Sequence, residues 1–286
     1  MRKPILKGIK VMICERIYLY DDNDKVYLDT YIPYTESKAL RKAMLVLPGG
    51  GYGICWWGEG EPVARQFMTA DYCAFVLNYS VKPDIFRPSG VPAPLIDASR
   101  AVAHIKRNAD KYGIDPEKIA VVGFSAGGHL AATLGTMWHY DFVEREAEIE
   151  HGENKVAAMI LGYPVISSNP ECGHIGSFNN LLTRPGETKP SDKDLRFYSV
   201  ENQVSDKTVP AFIWHTAADS GVSVRNSLVM AEALSRNKIP FEMHIFPEGP
   251  HGRSIATRDI FPDDGPYLEH IAEWVDLAKK WLDTVM

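Results

Sequence analysis

The chain has 286 residues, of which 45% are hydrophobic and 24% are charged, and its net charge is −6. This composition is typical of an ordinary soluble globular protein and excludes disordered, collagen-like and membrane classes. The basic residues are scattered rather than clustered, so no nucleic-acid partner is expected.

Neither a membrane segment nor a metal site is expected. Lys7 and Lys10 interrupt the N-terminal sequence before an apolar run develops, and no later stretch has the length of a spanning helix. We therefore expect a cytoplasmic protein with no membrane partner. The cysteines show no CxxC or Cys/His spacing and are interpreted as buried thiols; they are Cys14, Cys55, Cys73 and Cys172.

The predicted strands follow two patterns along the chain. Residues 11–20 and 26–31 flank a turn at 21–24 and predict an antiparallel hairpin. Later, short apolar strands alternate with helical segments, which is typical of βαβ units around a buried parallel sheet. These strands are predicted at 44–47, 73–78, 119–122, 156–161, 211–215 and 241–246. The expected fold class is α/β, with a mostly parallel central sheet and helices on both faces.

Helices are predicted from apolar residues at helical spacing. Residues 95–105 and 228–234 carry such stripes, and the C-terminal segment 271–282 places its apolar residues on one face. Residues 164–208 break this rhythm with Pro, Gly, Ser and Asn. We interpret them as an insertion or cap over the sheet, within one domain that spans residues 1–286.

A strand-to-helix turn carries a candidate nucleophile. An apolar, β-branched run leads into Gly123-Phe124-Ser125-Ala126-Gly127, and an Ala-rich helical stretch follows. Small residues are needed on both sides of such a turn because its backbone is crowded. The pentapeptide alone arises often by chance, so its context must support Ser125 as a nucleophile.

A serine nucleophile needs a base and a carboxylate that orients the base. Loops at the carboxyl ends of parallel strands meet at one edge of the sheet. Asp219 follows the predicted strand 211–215, and His251 follows 241–246. With Ser125 they give the order Ser, Asp, His of α/β-hydrolases. Glu248 lies near His251 in sequence and stays open as the alternative acid.

A glycine-rich loop is the candidate oxyanion hole. Gly49-Gly50-Gly51 follows the strand 44–47, and backbone amides in this loop and at Ala126 are expected to face the reacting oxygen. A nucleotide site is the competing interpretation. It is disfavoured because the chain lacks the Gly-Lys-Ser/Thr of a P-loop and a Gly-x-Gly-x-x-Gly that opens a helix.

Four motifs together resemble the α/β-hydrolase carboxylesterases, most closely the acetyl esterase or acetylxylan-esterase-like branch. They are Pro48-Gly49-Gly50-Gly51-Tyr52, Gly123-Phe124-Ser125-Ala126-Gly127-Gly128-His129, Asp219 within His215-Thr216-Ala217-Ala218-Asp219, and Gly249-Pro250-His251-Gly252. The resemblance implies an α/β-hydrolase fold that needs no cofactor and hydrolyses short acyl esters, often of acetylated sugars or xylo-oligosaccharides.

By motif position, the resemblance assigns roles to individual residues. Ser125 would attack the ester carbonyl, His251 would act as base and then acid, and Asp219 would hold the imidazole. The amides of the oxyanion hole would come from Gly50, Gly51, Tyr52 and Ala126. Two departures are visible: many relatives carry His in place of Pro48, and His-Gly where this chain has His215-Thr216.

The substrate and the partners are less constrained. Trp56 and Trp57 near the oxyanion loop, and His174 in the insertion, are candidate substrate-binding residues because aromatic faces suit sugar rings or acyl chains. The expected partner is a small-molecule ester, with a homodimer as a further possibility. The alternative functions are a serine peptidase of the prolyl-oligopeptidase type, although the chain has no room for its accessory domain, and a non-catalytic ligand-binding protein on the same fold.

Overall fold

The structure, a computed structural model, describes residues 12–286. Its strands are β1 (Arg16–Tyr20), β2 (Asn23–Tyr31), β3 (Arg41–Leu47), β4 (Cys73–Asn78), β5 (Ile114–Phe124), β6 (Ala158–Gly162), β7 (Ala211–Thr216) and β8 (Phe241–Phe246). They form one sheet in the order β1-β2-β4-β3-β5-β6-β7-β8. β1, β2 and β4 pair antiparallel, and every pair from β4 to β8 is parallel.

The helices are α1 (Glu61–Met68), α2 (Ala93–Arg107), α3 (Ala109–Tyr112), α4 (Ala126–Met137), α5 (Asp141–Ala147), α6 (Ile175–Leu182), α7 (Asp192–Tyr198), α8 (Arg225–Arg236) and α9 (Tyr267–Val285). Apolar side chains of α2, α4 and α8 pack in a core on one face of the sheet. Those of α1 and α9 pack in a second core on the other face. The mostly parallel sheet with helices on both faces is thus confirmed.

The N-terminal hairpin is also confirmed, with a correction to its length. β1 pairs with β2 from Arg16↔Asp29 to Tyr20↔Asn23, whereas the prediction began at residue 11, which lies outside the described residues. β5 starts five residues before its predicted position because Ile114 already pairs with Arg41, ahead of a bulge. A bulge inserts a residue and breaks the alternation on which a strand prediction depends.

Within residues 12–286, no helix is long and apolar enough to cross a lipid bilayer. In the same part of the chain, no three His, Cys, Asp or Glu side chains are grouped so that they could hold a metal ion.

Glycine at three positions lets β3, β5 and α4 meet at close range. A Cβ on Gly127 would lie 2.1 Å from the carbonyl oxygen of Leu47, and one on Gly123 would lie 2.0 Å from that of Gly127. A Cβ on Gly49 would lie 2.7 Å from the Phe124 carbonyl oxygen. The start of α4 and the loop after β3 therefore touch through backbone alone.

Replacing Gly127 with alanine should destabilise the fold severely. The obstructing atom is a backbone oxygen in the central sheet that cannot move aside, so we expect a loss of about 3 kcal/mol or more in the free energy of unfolding. Urea denaturation measures this loss. Gly53→Ala is the matched control because the nearest atom to its Cβ is 3.7 Å away. Equal stability of the two variants would contradict the close approach.

Candidate active site

Ser125 occupies a strained turn between β5 and α4. Its backbone has φ 53° and ψ −117°, a region that residues with a side chain rarely adopt. The turn is held from both sides, since the Ser125 amide donates to the Gly162 carbonyl at 3.0 Å and its carbonyl accepts from the amides of His129 and Val165. This geometry presents the Ser125 hydroxyl above the carboxyl ends of the parallel strands.

The structure brings Ser125, His251 and Asp219 together in one hydrogen-bonded chain. The distance from His251 Nε2 to Ser125 Oγ is 2.8 Å, and from His251 Nδ1 to Asp219 Oδ2 it is 2.7 Å. A carboxylate can only accept, so Nδ1 carries the proton and Nε2 is free to accept from the serine hydroxyl. The arrangement can therefore withdraw a proton from Ser125.

Asp219 is buried and held in the ionised form. Burial opposes its ionisation, but hydrogen bonds from His215 and His251 and from the Val222 amide outweigh this and lower the pKa of Asp219 well below its usual range. The alternative acid, Glu248, is exposed to solvent, whereas Asp219 contacts the imidazole directly. The geometry favours Asp219 over Glu248 as the partner of His251.

His215 is a buried second contact of Asp219. Its Nε2 lies 3.2 Å from Asp219 Oδ2 and 3.0 Å from the Val222 carbonyl oxygen, while Nδ1 lies 2.8 Å from Ser227 Oγ. Because the carbonyl can only accept, Nε2 carries a proton and donates to both oxygens. His215 thereby fixes the rotation of the Asp219 carboxylate.

The glycine-rich loop of residues 48–52, which we call the oxyanion loop, lies beside Ser125. Gly50 has φ +126° and Gly51 has φ +63°, and a Cβ on Gly50 would lie 2.3 Å from the Ile54 carbonyl oxygen. Ala126 is the first residue of α4, where the amides have no acceptor within the helix. Amides of this kind suit a developing negative charge.

Glu59 holds the start of this loop from beneath. Its buried carboxylate accepts from the Gly49 amide and from the Tyr163 hydroxyl, both at 2.6 Å. Burial raises the pKa of Glu59, against the hydrogen bonds from Tyr163 and Gly49, which lower it. The Tyr79 hydroxyl also donates to the Pro48 carbonyl. The loop is thus anchored without a histidine at position 48.

Tyr163 connects Glu59 to the histidine loop. Its hydroxyl accepts from the Ser254 amide at 2.8 Å, and its ring packs edge-on against His251 with 5.0 Å between ring centroids. One buried carboxylate therefore links the oxyanion loop to the loop that carries His251.

The side chain of Tyr52 points into the core rather than toward the site. It is 1% exposed, and its hydroxyl lies 2.7 Å from Nδ1 of His129. Nε2 of His129 donates to the Tyr198 carbonyl at 2.7 Å, so Nδ1 must accept from the tyrosine. Burial lowers the pKa of His129 to about 4, against a smaller effect of the Tyr198 hydrogen bond. A neutral His129 joins the oxyanion loop to residues 164–208.

A cavity of about 410 Å³ opens above Ser125 and His251. This volume lies within the range of about 300–1,000 Å³ that is usual for small-molecule sites. Two of the predicted substrate-binding residues, Trp56 and His174, line it. The third, Trp57, lies outside this cavity in a neighbouring groove, and its surface is 67% exposed.

Residues 164–208 pack over the oxyanion loop. They contain α6 and α7, and Asn180 of α6 donates to the Gly51 carbonyl at 2.8 Å. His174 caps α6: its Nδ1 accepts from the Ser177 amide at 3.3 Å and lies 2.9 Å from the Ser177 hydroxyl. Burial and the nearby His251 lower the pKa of His174.

Sequence reasoning missed Glu59 and His215 as parts of this site. Glu59 lies ten residues from its contact at Gly49 and far from Tyr163 in sequence, so only the folded chain brings the three together. His215 did carry a signal, since it ends a predicted strand four residues before the candidate acid.

The neutral His129 predicts an acid-dependent loss of stability. Between pH 6.5 and about 4, His129 binds a proton in the unfolded chain but not in the folded one. The free energy of unfolding therefore decreases as the pH is lowered through this range, by about 3 kcal/mol in total. Denaturation of wild type and His129→Asn across this range measures the difference, which should shrink as pH falls. The His129 imidazole NMR signal gives a direct check; titration near pH 6.5 would contradict a neutral, buried ring.

The chain is similar to a protein family and to individual known proteins. The BD-FAE family model matches residues 28–234. The chain is 41% identical over 222 residues to endo-1,4-beta-xylanase B of Butyrivibrio fibrisolvens, covering 77% of this chain and 34% of that protein. It is 28% identical over 258 residues to an acetylxylan esterase of Xylanibacter ruminicola, covering 89% and 48%. The chain thus spans between a third and a half of the length of these curated relatives.

A solved structure extends the similarity over nearly the whole chain. An acetyl ester-xyloside bifunctional hydrolase from Caldicellulosiruptor lactoaceticus is 37% identical, with a TM-score of 0.78, and the match covers 95% of this chain and 96% of that one. Since the family model also matches most of the chain, the protein belongs to the BD-FAE family of α/β-hydrolases.

Proposed function

We propose that this protein is a serine carboxylesterase that removes short acyl groups, chiefly acetyl, from carbohydrates. The observation that carries the proposal is the hydrogen-bonded chain from Asp219 through His251 to Ser125 beside a glycine-rich loop. The relatives named as an acetylxylan esterase and an acetyl ester-xyloside hydrolase support acetylated sugars as substrates.

In the proposed reaction, His251 Nε2 takes the proton of Ser125 as Oγ attacks the ester carbonyl. The tetrahedral intermediate collapses when the protonated His251 donates that proton to the leaving alkoxide, which departs as the deacylated sugar with a free hydroxyl group. Water then attacks the acyl-enzyme with His251 again as base, which releases the carboxylic acid and restores Ser125. Asp219 stays ionised throughout and stabilises the imidazolium.

The oxyanion would be bound by backbone amides. We assign Ala126 and the loop amides of Gly50 and Gly51 to this role, with Tyr52 as a further amide of the same loop. Donors that are fixed before the reaction need no reorganisation as charge develops, which is why each is typically worth about 10²- to 10³-fold in turnover. The anchoring of the loop by Glu59 and Tyr79 supplies this rigidity.

Within the single domain, residues 164–208 would act as the cap that closes the cavity. His174 and Trp56 would contact the substrate, since both line the cavity. We also propose that the protein is cytoplasmic.

Replacing Ser125 with alanine should abolish ester hydrolysis while the fold is kept. We expect turnover of p-nitrophenyl acetate to fall by about 10⁴- to 10⁶-fold, and a fluorophosphonate probe should label wild type alone. Ser220→Ala, in an exposed position next to Asp219, is the matched control. Substantial hydrolysis by Ser125→Ala would refute the nucleophile.

The same assay separates esterase from peptidase activity. Wild type should prefer acetyl over longer p-nitrophenyl esters and should release acetate from acetylated xylo-oligosaccharides. Faster turnover of a peptide p-nitroanilide than of any ester would favour the peptidase alternative instead.

Glu59→Gln should lower kcat with little change in KM. Glutamine has one acceptor oxygen instead of two and cannot accept from both the Gly49 amide and the Tyr163 hydroxyl. The oxyanion loop and the His251 loop therefore lose their common anchor, and small displacements of reacting groups cost up to about 100-fold. Tyr163→Phe removes the same hydrogen bond and should act in the same direction. In the double variant, the fold-loss in kcat should be smaller than the product of the two single fold-losses, as expected for contacting groups. Independent, multiplicative losses would contradict a shared anchor.

A further inference from the structure

A second groove adjoins the active-site cavity, and Trp56 forms the wall between them. Trp56 lines both the cavity of Ser125 and this groove, whose volume is about 230 Å³. Its ring lies directly over Gly58, where an added Cβ would be 2.6 Å from a ring carbon. It also packs against Phe261, with ring centroids 6.0 Å apart. A wall that is packed this closely has a fixed position.

The floor of the groove comes from the N-terminal hairpin. Along β2, Val26, Leu28 and Thr30 are at most 1% exposed and point into the core. Because side chains alternate along a strand, Tyr27, Asp29 and Tyr31 point to the opposite face, where all three line the groove. Asn78 of β4 is paired directly across from Tyr27 and lines it too.

Trp57 forms the rim and is 67% exposed. A large aromatic side chain that stays exposed beside other aromatic groups is typical of a binding surface. Its ring centroid lies 6.1 Å from that of Trp56, so the two indoles follow one another from the cavity into the groove.

The chemistry of this lining suits a sugar. Aromatic rings of Trp57 and Tyr31 offer flat apolar faces, whereas the Arg16 guanidinium stacks on the Tyr27 ring, 3.7 Å from its centroid. The Asp29 carboxylate between the two tyrosines accepts from Arg16 and has lone pairs left for hydroxyl groups. The groove volume is below the usual range for a self-standing ligand site, so the groove fits an extension of a ligand already held in the cavity.

We propose that this groove is a second subsite, which binds unacetylated sugar units of an oligosaccharide whose acetylated unit lies at Ser125. The inference rests on the proposed esterase function for the position of the acetylated unit. It goes further in requiring an oligosaccharide, since Trp56 separates the two sites and a monosaccharide ester would fill only the cavity at Ser125.

The test compares substrates of different length in Trp57→Ala. For acetylated xylo-oligosaccharides, KM should rise by about 2- to 10-fold, the usual worth of an aromatic contact. The kinetics with p-nitrophenyl acetate and with an acetylated methyl xyloside should not change. Trp57→Phe should bring the KM for the oligosaccharides part of the way back to the wild-type value. The matched control is Phe241→Ala, which removes a 36% exposed aromatic from β8 at the other edge of the sheet and should leave all three substrates unaffected.

An unchanged KM for the oligosaccharides would overturn the subsite, and so would equal losses with all substrates, which would place Trp57 in the catalytic cavity. Titration calorimetry with unacetylated xylotetraose tests the groove without hydrolysis: Trp57→Ala should bind more weakly by a similar factor, and equal affinity would overturn the proposal. If wild type hydrolyses no ester, the esterase function fails while the calorimetry still decides the groove.

Discussion

The close approach of three backbone segments determines the geometry of the site. Gly49, Gly123 and Gly127 let the loop after β3 touch the turn between β5 and α4 without intervening side chains. This contact fixes the separation between the loop amides and Ser125, which is the dimension an oxyanion site depends on. Because the contacting atoms belong to the central sheet, the separation cannot relax independently of the fold.

Charge in the site is arranged so that a single imidazole can take up the proton of Ser125. Asp219 stays ionised because His215, His251 and backbone amides donate to it. His129, one turn of helix after Ser125, is kept neutral by burial although it lies among polar groups. His251 is the one of these histidines that contacts the serine hydroxyl, so proton transfer is directed to a single imidazole.

Much of this arrangement was predictable from sequence because it depends on local patterns. The turn at Ser125 needs small residues on both sides of it, and strands of the parallel sheet place Asp219 and His251 after later strands on one edge. The anchors of the oxyanion loop were not predictable in this way. Glu59 and Tyr163 are 104 positions apart, and a buried carboxylate has no sequence pattern that distinguishes it from a solvated one. The position of Trp57 was equally unpredictable, since two adjacent tryptophans in a sequence do not reveal which indole faces the cavity.

Position 48 of the glycine-rich loop is a proline, which has no side-chain hydrogen-bonding group. The loop is held instead by acceptors and donors from several elements: Glu59 before α1, Tyr79 after β4, and Asn180 of α6. Of these, Asn180 alone belongs to residues 164–208, and it donates to the Gly51 carbonyl, which lies in the same peptide unit as the Tyr52 amide. Changes in α6 would therefore reach the Tyr52 amide through the Gly51 carbonyl, while Glu59 and Tyr79 hold the Pro48–Gly49 end of the loop. The two ends of the glycine-rich loop are thus held by different parts of the fold.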